Sequence, residues 1–239
     1  MKTNTRKNRI ALATVVVLAI GVASGSAQAS LMFYSSEGAF DAAAPGLATQ
    51  NFAAATTAAG SADAMGNSLD SSTNNGIFVT GDILSGLSIS ATGNNPGADL
   101  AIIGPGYAGN TNTAVLSNVF AETLNLNFGP SVNAVGLGLL SEFDASDITL
   151  SFFDAADGLL GSTTVSSVTN SGSGTFFGVV DTAGNEIARI NLSSGTGQAE
   201  GVDLVKFGTA AVVTVPEPAS LALLGVGLAG LGAIRRRKS

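Results

Sequence analysis

The chain has 239 residues, contains neither cysteine nor histidine, and carries a formal net charge of −7. Without cysteine there are no disulfides, so burial and sheet hydrogen bonds must hold the fold, and this length provides one sizeable core. Without histidine, Ser-His-Asp and Cys-His catalysis and imidazole-ligated zinc are excluded, which leaves carboxylates as the route to catalysis.

The charges are distributed unevenly along the chain. Eight of the ten basic residues lie near the two ends, so residues 30–215 retain only Arg189 and Lys206. The same segment holds 16 of the 17 acidic residues and has a formal charge of −14. With so few cations it cannot neutralise phosphates, and nucleic-acid binding is excluded. An acidic surface instead favours solubility and divalent cations.

The N-terminal residues have the pattern of a secretory signal peptide. Four basic residues within the first nine precede an apolar stretch at 10–22, and the small residues Ala27 and Ala29 follow. This order is typical of a peptide that signal peptidase removes after export. We predict that residues 1–29 are cleaved after Ala29, which leaves Ser30 as the new N-terminus; an uncleaved anchor fits the length less well.

Residues 30–214 form the predicted exported domain, which begins with a short helix. Residues 35–44 have serines at the N-cap position, an early acid, and Pro45-Gly46 directly after them. These are start and stop signals of a helix. The stretch 48–75 is rich in Ala, Ser, Thr and Gly, which predicts mostly loop with one edge strand near residues 51–52.

From Gly76 onward, short apolar segments alternate with Gly, Asn and Asp. The candidate strands are 77–80, 87–91, 100–103, 114–116, 123–128, 134–140, 148–153, 159–165, 176–180, 187–192 and 202–207. Alternation of apolar and polar residues is clearest in 123–128 and 148–153 and indicates half-buried strands. So many short strands without helical patterns between them predict an all-β fold, an antiparallel β-sandwich or jelly roll.

Several carboxylates surround the predicted strand 148–153, namely Glu142, Asp144, Asp147, Asp154 and Asp157. The two ends of such a strand lie ~20 Å apart, so these groups cannot all share one ion. A calcium site would combine Asp154 and Asp157 with a distant partner such as Asp203 or Asp181. The alternative is that residues 154–158 form a hairpin turn, where Asp and Gly are favoured.

Two further hypotheses concern charged side chains. A glycosidase would need two carboxylates facing each other roughly 5 to 10 Å apart, and the sequence cannot test that geometry. We interpret Arg189 as the ion-pair partner of a neighbouring acid on the sheet, with a ligand-binding role as the alternative. Lys206 is interpreted as a solvated strand residue.

The last 24 residues form a separate segment. Pro216, Glu217 and Pro218 precede an apolar run of 16 residues at 219–234, which the basic cluster 235–238 ends. As a helix the run measures about 24 Å, somewhat less than the roughly 30 Å hydrocarbon core of a bilayer. The cations at its end can reach lipid headgroups and orient the helix with that end in the cytoplasm. We predict a short membrane helix within residues 215–239.

This arrangement resembles the PEP-CTERM sorting signal. The residues that carry the resemblance are Pro216, Glu217, Pro218, Arg235, Arg236 and Arg237. The resemblance implies a bacterial surface protein that a membrane-embedded exosortase recognises and cleaves near Pro-Glu-Pro. It also implies release or attachment in an envelope rich in exopolysaccharide. The motif residues are then recognition residues for another enzyme.

The second half of the exported domain resembles the jelly-roll ectodomain often found before this signal, which is similar to galactose-binding-like carbohydrate modules. The segments that carry this resemblance are 134–137, 150–154, 176–179, 187–190 and 202–208. Two functions remain open. The first is a non-catalytic surface or matrix protein, associated with exopolysaccharide or biofilm, with or without a structural calcium. The second is a secreted carbohydrate-active enzyme that uses a carboxylate pair.

Overall fold

The computed structural model of the chain describes residues 31–66, 68–93, 100–117, 123–142, 144–184, 187–194 and 199–211. The predicted cleavage site at Ala27, Ala29 and Ser30 and the sorting segment from Pro216 onward lie outside these ranges. Within the described ranges, no helix has the length and apolar character needed to cross a bilayer.

Strands make up most of the described structure. The helix α1 spans Glu37–Ala43, and a short 3-10 helix lies at Tyr107–Gly109. The strands are β1 (Leu31–Tyr34), β2 (Ala48–Gln50), β3 (Ala62–Ala64), β4 (Ser68–Asp70), β5 (Leu87–Thr92), β6 (Leu100–Ile103), β7 (Ala114–Ser117), β8 (Thr123–Val132), β9 (Ala134–Ser141), β10 (Ser146–Phe153), β11 (Leu159–Val168), β12 (Thr175–Asp181), β13 (Ile187–Ser193) and β14 (Glu200–Gly208).

The strands form two antiparallel sheets. The first sheet has eight strands in the order β1-β12-β9-β14-β7-β6-β3, and β2 also pairs with β14. The second sheet has six strands in the order β11-β10-β13-β8-β5-β4. The predicted all-β sandwich is confirmed.

The core lies between the inner faces of the two sheets. In β8, Leu124 and Leu126 are fully buried, and in β10 the same holds for Leu150 and Phe152. They belong to one apolar cluster with first-sheet residues such as Leu137. Because side chains alternate along a strand, the polar residues between them point away from the core.

Helix α1 covers part of the outer face of the first sheet. Ser36 caps it by accepting a hydrogen bond from the Ala39 N–H at 3.4 Å. Its buried Phe40 rests on Gly136 and Gly178, where an added Cβ would lie 2.8 Å and 2.5 Å from the Phe40 ring. The glycines therefore create the space in which the helix docks.

Lys206 is not the solvated strand residue that the sequence suggested. Its Nζ lies 2.7 Å from Glu37 Oε1 and 2.8 Å from Asp41 Oδ1, and its side chain is 13% exposed. Burial opposes the charged form, but the hydrogen bonds that the ammonium group donates to both carboxylates outweigh burial and raise the Lys206 pKa. The prediction was wrong because docking of α1 brings its two carboxylates onto β14.

The predicted strand at 77–80 is also wrong, since these residues are irregular. Asn75 Oδ1 accepts hydrogen bonds from the N–H groups of Ile77 and Phe78, both at 3.0 Å. Asp82 Oδ2 accepts one from the Val79 N–H at 2.7 Å. These local hydrogen bonds replace the backbone hydrogen bonds that a neighbouring strand would provide. The stretch 48–75 contains β2, β3 and β4, where one edge strand was expected.

The last described residues are fixed to the sandwich. Ala210 donates its N–H to Asn133 Oδ1 at 2.7 Å, and Asn133 Nδ2 donates to the Ala210 carbonyl at 3.0 Å. The preceding strand β14 lies inside the first sheet, where it pairs with β9, β7 and β2. The chain therefore leaves the domain from one of its best-paired strands.

Candidate functional site

Asp154 stabilises the turn between β10 and β11. Its Oδ1 accepts hydrogen bonds from the N–H groups of Ala156 at 2.8 Å and Gly158 at 2.7 Å. Asp157 adopts a left-handed backbone with φ of 62°, which aspartate tolerates better than most residues. The interpretation of residues 154–158 as a hairpin turn is confirmed.

The structure separates Asp203 from the other two candidate calcium ligands. Asp157 Oδ1 accepts a hydrogen bond from Arg189 at 2.9 Å, whereas Asp203 lies in β14 of the other sheet. Among the described residues, no group of three or more Asp and Glu side chains is placed to hold a metal ion. Calcium binding at these residues stays a prediction.

Among the described residues, three carboxyl groups have a raised pKa, and each has its own polar partner. Burial is the main cause at Glu142, Glu200 and Asp203. Glu142 accepts a hydrogen bond from Tyr107 at 3.3 Å and Glu200 one from Ser194 at 2.7 Å. Asp203 accepts one from Asn112 at 2.8 Å. Their hydrogen bonds do not join any two of them into a pair.

The outer face of the second sheet carries two rows of outward-pointing residues, which we call the polar strip. In the first row, each residue lies opposite the next on the adjacent strand: Ser162, Ser151, Asn191, Asn125, Ser90 and Ser68. This row crosses all six strands, a width of about 24 Å at the usual strand spacing. The whole row is uncharged.

The second row lies beside the first, one pleat further along the strands. It consists of Phe153, Arg189, Asn127, Ser88 and Asp70, again in direct register. Neighbouring rows on one face are separated by about 7 Å, the rise of two strand residues. The polar strip is therefore a broad surface with hydroxyl and amide groups at regular spacing.

A chain of side-chain hydrogen bonds orders the centre of the polar strip. Asn191 Nδ2 donates to Asn125 Oδ1 at 3.0 Å, and Asn125 Nδ2 donates to Thr92 Oγ1 at 2.8 Å. This direction leaves Asn191 Oδ1 as an acceptor and the Thr92 hydroxyl proton as a donor. The strip can therefore both accept and donate hydrogen bonds.

An arginine stacked on an aromatic ring lies toward one end of the second row. The Arg189 guanidinium carbon is 3.9 Å from the centre of the Phe153 ring. Asp157 holds the same guanidinium through their ion pair, as the interpretation of Arg189 predicted. Stacking and ion pairing fix the orientation of the guanidinium plane, and its remaining N–H groups can donate to a ligand.

The other end of the second row opens into a groove of about 440 Å³. Asp70 lines it and accepts hydrogen bonds on Oδ1 from the Ser72 hydroxyl at 2.6 Å and the Ser72 N–H at 2.8 Å. These bonds lower the Asp70 pKa, so the carboxylate is ionised at neutral pH. Ser88 and Asn127 continue the wall. Asp70 thus provides a charged acceptor at this end of the polar strip.

The sequence identified the alternation of Asn125 and Asn127 with apolar neighbours, but it did not predict the strip. The polar residues lie between positions 68 and 191 of the chain and come from six strands. Only the order and register of these strands align them. Neither can be read from one strand at a time.

The C-terminal segment matches a known family. Residues 214–238 match the family described as the PEP-CTERM protein-sorting motif. The chain carries a PEP-CTERM sorting signal. This confirms the resemblance carried by Pro216, Glu217 and Pro218 and the following residues. The protein is exported, anchored through its C-terminus, and then processed to the cell surface or the extracellular space. No curated protein matches the chain.

Three solved structures are similar to part of this chain. The lectin domain of lectinolysin, complexed with Lewis B antigen, is 14% identical with a TM-score of 0.31, over 41% of this chain and 72% of that chain. The enzymatically active domain of Bacteriophage CBA120 tailspike protein 4 is 19% identical with a TM-score of 0.30, over 52% and 19%. A mutant family 29 carbohydrate-binding module is 16% identical with a TM-score of 0.26, over 55% and 83%. All three TM-scores are below 0.5, so neither ligand nor activity transfers to this chain.

Proposed function

We propose that this PEP-CTERM protein is a non-catalytic component of the cell surface or extracellular matrix that binds an extended, uncharged polysaccharide along the polar strip. The single observation that carries the proposal is the register of six hydroxyl and amide side chains across the whole second sheet. Such groups match the hydroxyls of a sugar chain, which both donate and accept hydrogen bonds.

The charge of the domain favours a neutral polymer over an acidic one. The exported segment carries 16 acids and two bases, and both bases already form ion pairs with carboxylates. An anionic polysaccharide would be repelled by this excess of negative charge. Binding through neutral hydrogen bonds and stacking is expected to change little with ionic strength, since screening acts on charges.

A secreted carbohydrate-active enzyme is the second candidate. It would need two carboxylates that face each other across a cleft. The described carboxyls with a raised pKa instead have separate partners on Tyr107, Ser194 and Asn112, which supports the non-catalytic proposal. The same binding experiment tests this alternative if released reducing ends are measured.

The experiment is co-sedimentation with the exopolysaccharide of the producing organism. The chain without residues 1–29 is kept in mild detergent, mixed with the polymer and pelleted at 0.05 and 0.5 M salt. We expect similar pelleting at both salt concentrations and no released reducing ends. Arg189→Ala and Asn127→Ala should each weaken binding by about 5-fold to 30-fold, the equivalent of 1–2 kcal/mol for a lost hydrogen-bonding group.

Two further variants separate binding from folding. Arg189→Lys keeps the positive charge but loses the planar guanidinium group and its fixed N–H donors. This variant should therefore also bind more weakly. Thr49→Ala removes a polar side chain from an exposed strand position of the first sheet and should bind like the unchanged protein. Binding that survives Arg189→Ala and Asn127→Ala would place the polymer elsewhere, and released reducing ends would favour the enzyme.

A further inference from the structure

The outer face of the first sheet contains a cleft of about 450 Å³ beside helix α1. Its floor is formed by Gly138 and Asp203, and Phe176, Asn51 and Asn112 are among its walls. The polar strip lies on the outer face of the other sheet, so this cleft is a separate site. We call it the Asp203 cleft.

An irregularity in β14 places the carboxyl group in the floor. The pairing of β14 with β9 shifts register between Val202 and Leu204, as at a β-bulge, and Asp203 is the residue between them. Its Oδ1 rests over Gly138, where an added Cβ would lie 1.9 Å from that oxygen. A residue with a side chain at 138 would fill the place of the carboxyl group. Bulge and glycine together build Asp203 into the cleft.

Asp203 has fewer hydrogen bonds than its burial requires. The residue is 3% exposed, and its Oδ2 accepts one bond from Asn112 Nδ2 at 2.8 Å. Oδ1 has no hydrogen-bond partner among the described residues. Burial, with a smaller contribution from the charge of Glu37, raises the Asp203 pKa. A buried carboxyl oxygen without a donor costs free energy that a donating ligand would recover.

The walls of the cleft are held together by backbone hydrogen bonds. Thr111 donates its N–H to the Gly172 carbonyl at 2.8 Å, and Gly172 donates to the Gly109 carbonyl at 3.1 Å. The loop that carries Asn112 is thereby tied to the loop before β12. A site that is formed before the ligand arrives loses less entropy on binding.

The side chains select the class of ligand. The Asn51 and Asn112 amides and the Thr111 hydroxyl both donate and accept hydrogen bonds, and the half-buried Phe176 offers an apolar surface. No Lys or Arg lines the cleft within the described residues, so an anion lacks a partner. A metal ion would lack the cluster of carboxylates that it requires. The combination suits a small hydroxyl-rich molecule.

We infer that the Asp203 cleft binds a single neutral sugar residue or a similar polyol, with Asp203 accepting hydrogen bonds from its hydroxyl groups. The inference does not depend on the polar strip. One consequence rests on the proposed function. With one polymer chain on the polar strip and a sugar residue of another in the Asp203 cleft, a single molecule would connect two polymer chains.

The test is titration with free sugars. The chain without residues 1–29, in mild detergent, is titrated with glucose, galactose, mannose, xylose and N-acetylglucosamine, followed by saturation-transfer NMR. We expect saturable binding of at least one sugar. Asp203→Asn should weaken that binding at least ten-fold, whereas Asp63→Asn, at an exposed position of β3 outside both the cleft and the polar strip, should leave it unchanged.

A second variant covers the case in which Asp203→Asn fails to fold. Ala53 is exposed and lines the cleft, so Ala53→Trp would fill the space without altering the floor. It should abolish sugar binding but leave pelleting with the polymer unchanged. Arg189→Ala, in contrast, should weaken pelleting. If no sugar binds, or if binding survives both Asp203→Asn and Ala53→Trp, the inference is overturned, while the proposed function is judged by pelleting alone.

Discussion

The two sheets of this sandwich have similar inner faces and very different outer faces. Strand β9 of the first sheet is buried at all eight positions, because helix α1 and several loops cover its outer side. Strand β5 of the second sheet is buried only at Leu87 and Ile89, while its serines point outward. The first sheet has a second layer, and the second sheet presents its polar residues directly.

Residue size explains this difference. Outward positions on the first sheet include Gly136, Gly138 and Gly178, which leave room for Phe40 and Asp203. Most outward positions of the polar strip on the second sheet carry serine or asparagine, which are larger than glycine and leave no space for a second layer; Asn125 is 7% exposed, and its neighbours Ser90 and Asn191 are half-buried. One face is built for packing, the other for contact with solvent or a ligand.

The largest expected effect comes from removing the side chain that fixes the second layer. Phe40→Ala should destabilise the protein by about 3–5 kcal/mol, since a fully buried aromatic leaves a cavity. Phe153→Ala is the matched change on the second sheet, where the ring is only partly buried, and it should cost about 1 kcal/mol. Urea unfolding measures both, and equal losses would contradict the proposed difference between the faces.

Gly138→Ala tests the close approach of Asp203. The new Cβ would lie 1.9 Å from Asp203 Oδ1 in the present arrangement, so the carboxyl group must move. We expect a loss of about 1–3 kcal/mol, as for other overpacked sites. Gly38 lies in helix α1, where an added Cβ would meet open space. Gly38→Ala should therefore stabilise the helix by about 0.5–1 kcal/mol. Thermal unfolding that ranks the two variants the other way would contradict this account.

The buried carboxyl group of Glu200 predicts that the stability of the protein depends on pH. Glu200 lies in β14, is 1% exposed, and accepts a hydrogen bond from Ser194, which follows β13. Because burial raises its folded pKa above 4.5, its contribution is present in acid and is lost as pH rises through the folded pKa. Glu200→Gln should therefore be more stable than the unchanged protein at pH 7, by about 1–2 kcal/mol.

At pH 4 the two proteins should unfold at nearly the same urea concentration. The exposed Asp63→Asn removes one negative charge from an edge strand and is the control for net charge. A Glu200→Gln variant that is less stable at pH 7 would show that the ionised carboxylate is favoured where it is buried.

The smallest effect is expected on the polar strip. Asn125→Ala removes the central member of the hydrogen-bond chain and should destabilise by about 1 kcal/mol, the net value of a hydrogen bond. Thr164→Ala removes an exposed partner of Thr149 at the edge of the sheet and should be close to neutral. If Asn125→Ala costs as much as Phe40→Ala, the outer face of the second sheet contributes to folding as strongly as the first.

Much of the fold was predictable because alternation is local. The segments 123–128 and 148–153 alternate cleanly and both proved to be strands, and Ser36 caps the predicted helix. The segment 77–80 looked similar but is irregular, since Asn75 and Asp82 bond its N–H groups. Such competition depends on side-chain geometry that a pattern of apolar residues does not record.

The candidate sites were less predictable, because they combine residues far apart in the chain. Asn112 and Asp203 are 91 positions apart and share a hydrogen bond. Lys206 meets Asp41 across 165 positions. The hairpin turn at Asp154, in contrast, was predicted, since all its hydrogen bonds lie within five residues. Long-range pairing decides these sites, and one sequence alone does not reveal it.

The clamp between Asn133 and Ala210 also determines how force would pass through the molecule. The sorting signal begins at residue 214, so fewer than five residues separate it from Ala210. A pull on an anchored C-terminus would reach this clamp first and β14 next. Because β14 pairs with strands on both sides, that load would be shared by many backbone hydrogen bonds. A protein held at the cell surface through its C-terminus would thus be attached through a well-paired part of its fold.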